Sequence, residues 1–241
     1  MTRTSACLTL LVLLLLQACS AAPRFARWEL PANVGFADLP DRVLVQPLEE
    51  SQTTGIVFYP GGLVSPAAYI PLLARLASQG YRVVIARMPL DLAVLDSAKA
   101  LQLMPDYPYV QHWVLAGHSL GGAMAVEAVK KHPERFAGLI LLAAYPAENT
   151  DISDLSLPVL SIAASEDGLS TPAEVSAGRQ RLPQQTQYVQ LSGANHAQFG
   201  DYGPQANDGK ASLSRDLQQA LTASAISDFL KEQKLFQALS F

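Results

Sequence analysis

The chain opens on a dense apolar run and then settles into short blocks of Val, Ile and Leu separated by longer mixed stretches, without internal repeats or low-complexity blocks. After a stretch containing Pro and Ala, the blocks fall at Arg42 to Gln46, Gly55 to Tyr59, Tyr81 to Arg87, Trp113 to Ala116, Phe136 to Ala143, Val159 to Ala164 and Gln187 to Leu191. Several are apolar at nearly every position, the pattern of strands covered on both faces. Such strands alternating with segments long enough for helices predict crossover units. The expectation is an α/β fold with a mainly parallel central sheet and helices on both faces.

Helix starts are spelled out at Ser65-Pro66 and Thr171-Pro172, where a capping hydroxyl precedes a proline suited to the first helical position. Glu174 stands three residues after Thr171 and completes a capping box. A long helix is expected from about Leu213 to Lys231, with Leu217, Leu221, Ile226 and Leu230 at near-helical spacing and turned toward one sheet face.

The amino-terminal run changes the picture of where the domain begins. Arg3 supplies a positive start, and Leu8 to Leu16 is too short to span a bilayer comfortably, so residues 1–18 read as an export signal. The junction Leu16-Gln17-Ala18-Cys19-Ser20 resembles the lipobox of bacterial lipoproteins. That resemblance implies cleavage before Cys19, diacylation of its sulfur and attachment to a membrane. Ser20-Ala21-Ala22 supplies the competing reading, an ordinary cleavage site and a soluble periplasmic or secreted product. Ser20 lacks the acidic character that favours inner-membrane retention in Gram-negative lipoproteins, so the resemblance leans to the outer membrane. Residues 19–40 are expected to form a tether and residues 41–241 a single domain.

Composition narrows the chemistry. The 241 residues are 49% apolar and 16% charged, which suits one sizeable core. A formal net charge of −4 gives no basic footprint for nucleic acid, and none is expected as a partner. The two cysteines are Cys7, in the discarded leader, and Cys19. The mature domain therefore lacks thiol nucleophiles, zinc thiolates and disulfides.

The block Trp113 to Ala116 runs directly into Gly117-His118-Ser119-Leu120-Gly121-Gly122 and then an alanine-rich segment through Lys131. A strand, a glycine-flanked serine and a helix make a nucleophile elbow, in which the sharp turn lifts the Ser119 hydroxyl above the sheet edge. A serine hydroxyl is a poor nucleophile at neutral pH and needs a base oriented by a carboxylate. Both partners should follow the serine in the chain, and of His112, His118, His132 and His196 only His196 lies well beyond the elbow. For the acid, Asp167 follows the Val159 to Ala164 strand within a short turn, with the adjacent Glu166 as the substitute. The developing oxyanion needs backbone N–H donors. Leu120 supplies one, and the loop Tyr59-Pro60-Gly61-Gly62-Leu63 the other, from Gly62 or, failing that, Leu63.

The Gly-Gly loop, the elbow, Asp167 and His196, in that order, resemble the α/β-hydrolase superfamily from about Arg42 to the end. The short form is similar to dienelactone-hydrolase-like members, although those use a cysteine where this chain has Ser119. Larger relatives insert a lid where this chain has only Tyr145 to Pro158, so no lid domain is expected. An open pocket then falls to the loops Gly61 to Ser65, Met88 to Ala93, Tyr145 to Asn149 and Phe199 to Tyr202. Leu63, Met88, Asp91, Phe199 and Tyr202 are candidate lining residues, with ordinary loop packing as the alternative for each. The function implied is a serine esterase acting on small-molecule esters with small or protruding acyl groups, needing no metal or organic cofactor. An amidase or peptidase with the same residues, and a non-catalytic envelope lipoprotein that keeps the fold for binding, stand as alternatives.

Overall fold

The computed structural model describes residues 28–49 and 51–233, and the predicted leader and Cys19 lie outside the described residues. The strands are β1 (Val34–Asp38), β2 (Arg42–Pro47), β3 (Thr54–Tyr59), β4 (Arg82–Ala86), β5 (His112–His118), β6 (Gly138–Leu142), β7 (Val159–Ala164) and β8 (Gln187–Leu191). They join into one sheet in the order β1-β2-β4-β3-β5-β6-β7-β8. The pairs β1/β2 and β2/β4 are antiparallel, and every pair from β4 through β8 is parallel. This is the mainly parallel α/β sheet that the apolar blocks predict.

One boundary differs. Residues 34–38, assigned by the sequence pattern to a tether, form the edge strand β1, pairing Val34 with Pro47 and Asp38 with Val43. An edge strand is covered on fewer sides, and after buried Val34 the segment VGFAD alternates half-buried and exposed positions instead of forming an apolar block.

The central strands sort their side chains by the two-residue period of a pleated sheet. Ile56, Phe58, Val83, Ile85, Val114 and Ala116 enter one core, where α1 (Ile70–Ala77) and the carboxyl-terminal half of the last helix pack. Val57, Tyr59, Val84, Ala86 and Leu115 enter a second core on the opposite face, beneath α2 (Lys99–Leu103) and α3 (Leu120–Lys131). Both faces need cover, which is why these strands are apolar throughout.

The short helix α4 (Pro172–Gly178) begins where the sequence places it. Thr171 Oγ1 accepts from the Glu174 amide, and Glu174 Oε2 accepts from the Thr171 amide at 2.9 Å, closing the capping box. Ser65 behaves otherwise: its side chain makes no cap, and a 3-10 turn at Pro66–Tyr69 leads into α1. The last helix, α5 (Arg215–Glu232), lies close to its expected span but is rotated from its expected face. Ile226 and Leu230 are buried as anticipated, whereas Leu217 and Leu221 are 46% and 41% exposed. Gln218 is fully buried in their place, because its amide donates to the Asn195 carbonyl and accepts from the Asn195 N–H. The amino-terminal half of α5 thus packs through polar contacts on a loop instead of through leucines on the sheet.

Between β6 and β7, residues 143–158 contain no helix, so no lid domain covers the carboxyl edge of the sheet. Among the described residues, no helix is long and apolar enough to cross a membrane.

Phe229 anchors α5 in the first core at 1% exposure. Phe229→Ala is expected to cost about 3–5 kcal/mol, because the fixed surroundings close the resulting void only in part. Urea denaturation of the two proteins measures it.

Candidate active site

The residues singled out in the sequence meet at the carboxyl edge of the parallel strands. The β3/β5 register pairs Tyr59 with Gly117, and the β5/β6 register pairs His118 with Leu142, so the Gly61-Gly62 loop and Ser119 leave the sheet side by side. Ser119 has φ 53° and ψ −123°, a left-handed backbone that a serine adopts at a cost of roughly 1–3 kcal/mol. The turn is tied down by the Ser119 amide donating to the Leu142 carbonyl at 3.0 Å. It is also packed so closely that a methyl at Gly121 would lie 2.3 Å from the carbonyl oxygens of Tyr59 and Pro60. Glycine is required there because helix α3 must start directly against the end of β3.

His196 and Asp167 approach from the turns after β8 and β7. His196 Nδ1 stands 2.8 Å from Asp167 Oδ2, and both side chains are buried. The carboxylate accepts the Nδ1 hydrogen, leaving Nε2 as the basic nitrogen. The other oxygen, Oδ1, accepts from the amides of Leu169 and Ser170 at 2.8 and 2.7 Å, so the acid is held on both sides. Glu166, the substitute acid, is exposed and accepts from the Ser165 hydroxyl at 2.9 Å, whereas His196 Nδ1 pairs with Asp167. The His196 ring packs tilted against His118, the residue immediately before Ser119, at 4.5 Å between centroids.

Loop hydrogen bonding separates the two candidate donors for an oxyanion. The Leu63 amide already donates to the Asp91 carbonyl at 2.9 Å, the Val64 amide to Gly61 at 3.2 Å and the Gly61 amide to the Tyr69 hydroxyl at 2.9 Å. Among the described residues, the Gly62 amide has no such partner, and a methyl there would sit 3.0 Å from Leu120 Cδ2. Leu120 is the first residue of α3, where backbone amides have no intrahelical acceptor. Gly62 and Leu120 thus lie at neighbouring positions, whereas the Leu63 amide is already engaged.

The expected lining residues divide. Leu63 and Tyr202 are half-buried, and Asp91 is exposed beside Leu63. Partial desolvation in the loop raises the Asp91 carboxyl although the residue as a whole is exposed, with Arg87 opposing. Met88 and Phe199 are buried at 6% and 0% exposure, so they pack instead of lining an open wall. Met88 belongs to the second core, and Phe199 lies 5.6 Å from the His118 ring. Tyr202 is fixed by donating to Gln205 Oε1 at 3.0 Å. Leu92 lies within the expected Met88 to Ala93 loop without being singled out there, and it stands next to Gly62, whereas Tyr69, hydrogen-bonded to the Gly61 amide, falls outside every expected loop. Neither residue carries a motif, and only the folded chain brings them to the site.

A comparison with known families matches residues 55–220 to the alpha/beta hydrolase family. The chain belongs to the alpha/beta hydrolase family. This alpha/beta hydrolase is 35% identical over 96 residues to a putative non-heme haloperoxidase of Mycobacterium phage D29, a match covering 36% of the chain. The chain spans about a third (34%) of the length of that curated relative. Among solved structures it resembles MGS-MChE2, an alpha/beta hydrolase enzyme from the metagenome of sediments of the Mar Chica lagoon, Morocco. That likeness has a TM-score of 0.61 at 17% identity, covers 83% of this chain and 99% of the other, and shows the shared fold.

His118 has its own titration. Tyr69 Oη accepts from the Gly61 amide and shares a hydrogen bond with His118 Nδ1 at 2.9 Å. Burial, and then the neighbouring His196, hold the His118 imidazole well below its ordinary value of 6.5. The unfolded chain therefore takes up a proton below about pH 6.5 that the folded chain refuses, and stability falls as pH falls from there. The loss from this residue approaches ~1.4 kcal/mol per pH unit. His118→Gln, which keeps an acceptor for Tyr69 without titrating, is expected to flatten the decline between pH 6.5 and 5 in denaturation experiments.

Proposed function

We propose that this chain is a serine hydrolase that cleaves carboxylic esters of small or protruding acyl groups through an acyl-enzyme. The observation that carries the reading is the buried 2.8 Å pair of His196 and Asp167 standing beside an elbow whose strained residue is Ser119. In this reading His196 Nε2 takes the Ser119 hydroxyl proton as Oγ attacks the ester carbonyl, and then returns it to the departing alkoxide. The amides of Leu120 and Gly62 hold the oxyanion, a contribution worth about 2.7–4 kcal/mol per donor in comparable sites. Water, deprotonated by His196, then releases the acid and restores the serine.

The acyl preference rests on what flanks the oxyanion loop. No lid covers the edge, and Leu90, at 80% exposure, shares a loop with half-buried Leu92, which approaches Gly62. This open apolar margin suits a group that protrudes along the surface. The relative named a haloperoxidase supports a second outcome for the same intermediate. Hydrogen peroxide in place of water would release a peracid, which oxidises halide.

Labelling with a fluorophosphonate probe tests the machinery. Wild type is expected to label, and Ser119→Ala and His196→Ala to lose labelling; an unlabelled, folded wild type would favour a non-catalytic binding module. Asp167→Asn is expected to retain the fold while lowering kcat on p-nitrophenyl acetate by about 10³ to 10⁴-fold. Acetate-dependent bromination with hydrogen peroxide separates the peracid route from simple hydrolysis.

We also propose export and attachment to a membrane through lipid on Cys19, a reading supported by the junction Leu16 to Ser20. Cys19→Ser is expected to move the protein from the membrane to the soluble fraction of cells, and unchanged fractionation would sink the anchor.

A further inference from the structure

The acid turn and the histidine loop come from different strands, and the tip of a third loop joins them. Asp208 Oδ1 accepts from the His196 amide at 3.2 Å and the Gly168 amide at 3.3 Å, as well as from the adjacent Gly209 amide at 2.8 Å. Its Oδ2 accepts from the Ala197 amide at 2.9 Å. One carboxylate therefore holds the backbone of the candidate base and the residue that follows the candidate acid. Charge-assisted bonds to backbone amides are the strong class, and four converging on one group fix it more firmly than any single contact would.

The surrounding backbone is shaped to deliver that carboxylate. Asn207 has φ 66°, turning the chain so that Asp208 faces the site. At Gly209 a methyl would lie 1.8 Å from the Glu166 carbonyl oxygen, so the loop lies flush against the acid turn. Asn195 Nδ2 donates to the Gly209 carbonyl at 2.8 Å and closes the loop back onto the histidine segment. None of this touches a substrate position. It bears on how accurately His196 is held toward both Asp167 and Ser119, where displacement by an ångström carries a large rate cost.

We propose that Asp208 is the positioning residue that locks His196 and the Asp167 turn into register and adds negative potential beside the imidazolium formed during turnover. The proposal rests on the hydrolase reading above. The other titratable groups of this cluster are Asp167, His118 and Tyr202, whose phenol interacts electrostatically with both Asp167 and Asp208, and Lys210 is the cation of the Asp208 loop. Removing one negative charge from this cluster disfavours uptake of a proton by it, so the acid limb of the rate profile moves to lower pH.

The test compares Asp208→Ala and Asp208→Asn with wild type by the rate of fluorophosphonate labelling as a function of pH, with thermal midpoints measured alongside. Labelling reads the reactive serine whatever the natural substrate, so a wild type that labels but hydrolyses no tested ester counts against the ester reading alone. The expected result is labelling slowed about 30-fold or more in Asp208→Ala, a smaller loss in Asp208→Asn, which keeps one acceptor oxygen, and an acid limb shifted down by about half a pH unit in both. Folded variants that label at the wild-type rate would overturn the proposal. So would a slowed rate with an unmoved acid limb, which reports a structural contact only; if Asp208→Ala fails to fold, the Asp208→Asn rate and limb decide.

Discussion

Everything at the carboxyl edge of this sheet depends on one backbone constraint, the left-handed turn at Ser119 between β5 and α3. A serine in that region is strained, and the strain persists because the neighbouring elements leave the chain no other path. The amide of Ser119 is bound to β6, and Gly121 lies against the end of β3 with no room for a side chain. The two cores, one on each face of the sheet, supply the packing that holds those strands in place. Strain at the elbow and apolar burial in the strands are therefore two sides of one arrangement.

The second demand on the fold is electrostatic. A buried carboxylate and imidazole are costly to desolvate unless each polar atom is matched. The structure meets this with backbone amides. Asp167 takes two from its own turn and the hydrogen of His196, while Asp208 gathers four from three segments. Gln218 contributes from α5, which explains why that helix presents a glutamine, and not a leucine, to the loop below it. On the other side, Tyr69 links the Gly61 amide to a neutral His118. Keeping that imidazole uncharged spares His196 a competing positive charge 4.5 Å away.

The sequence by itself determined the architecture and the identity of the chemical groups. Blocks apolar at every position demand a sheet covered on both faces, and a glycine-flanked serine between a strand and a helix has few conformations open to it. The capping box at Thr171 and the order Ser119, Asp167, His196 were legible for the same reason, since each rests on residues close in the chain or on a fixed strand order. What only the tertiary structure decided are the interactions between segments far apart in sequence. That the Leu63 amide is engaged while its neighbour Gly62 is not follows, among the described residues, from the Asp91 carbonyl reaching Leu63, a contact across 28 residues. The burial of Met88 and Phe199, the exposure of Leu217 and Leu221, the strand at Val34–Asp38 and the clamp at Asp208 likewise depend on which neighbour arrives. A side chain's period fixes its local face, but whether that face meets water, an apolar core or a backbone amide is settled only when distant parts of the chain pack together.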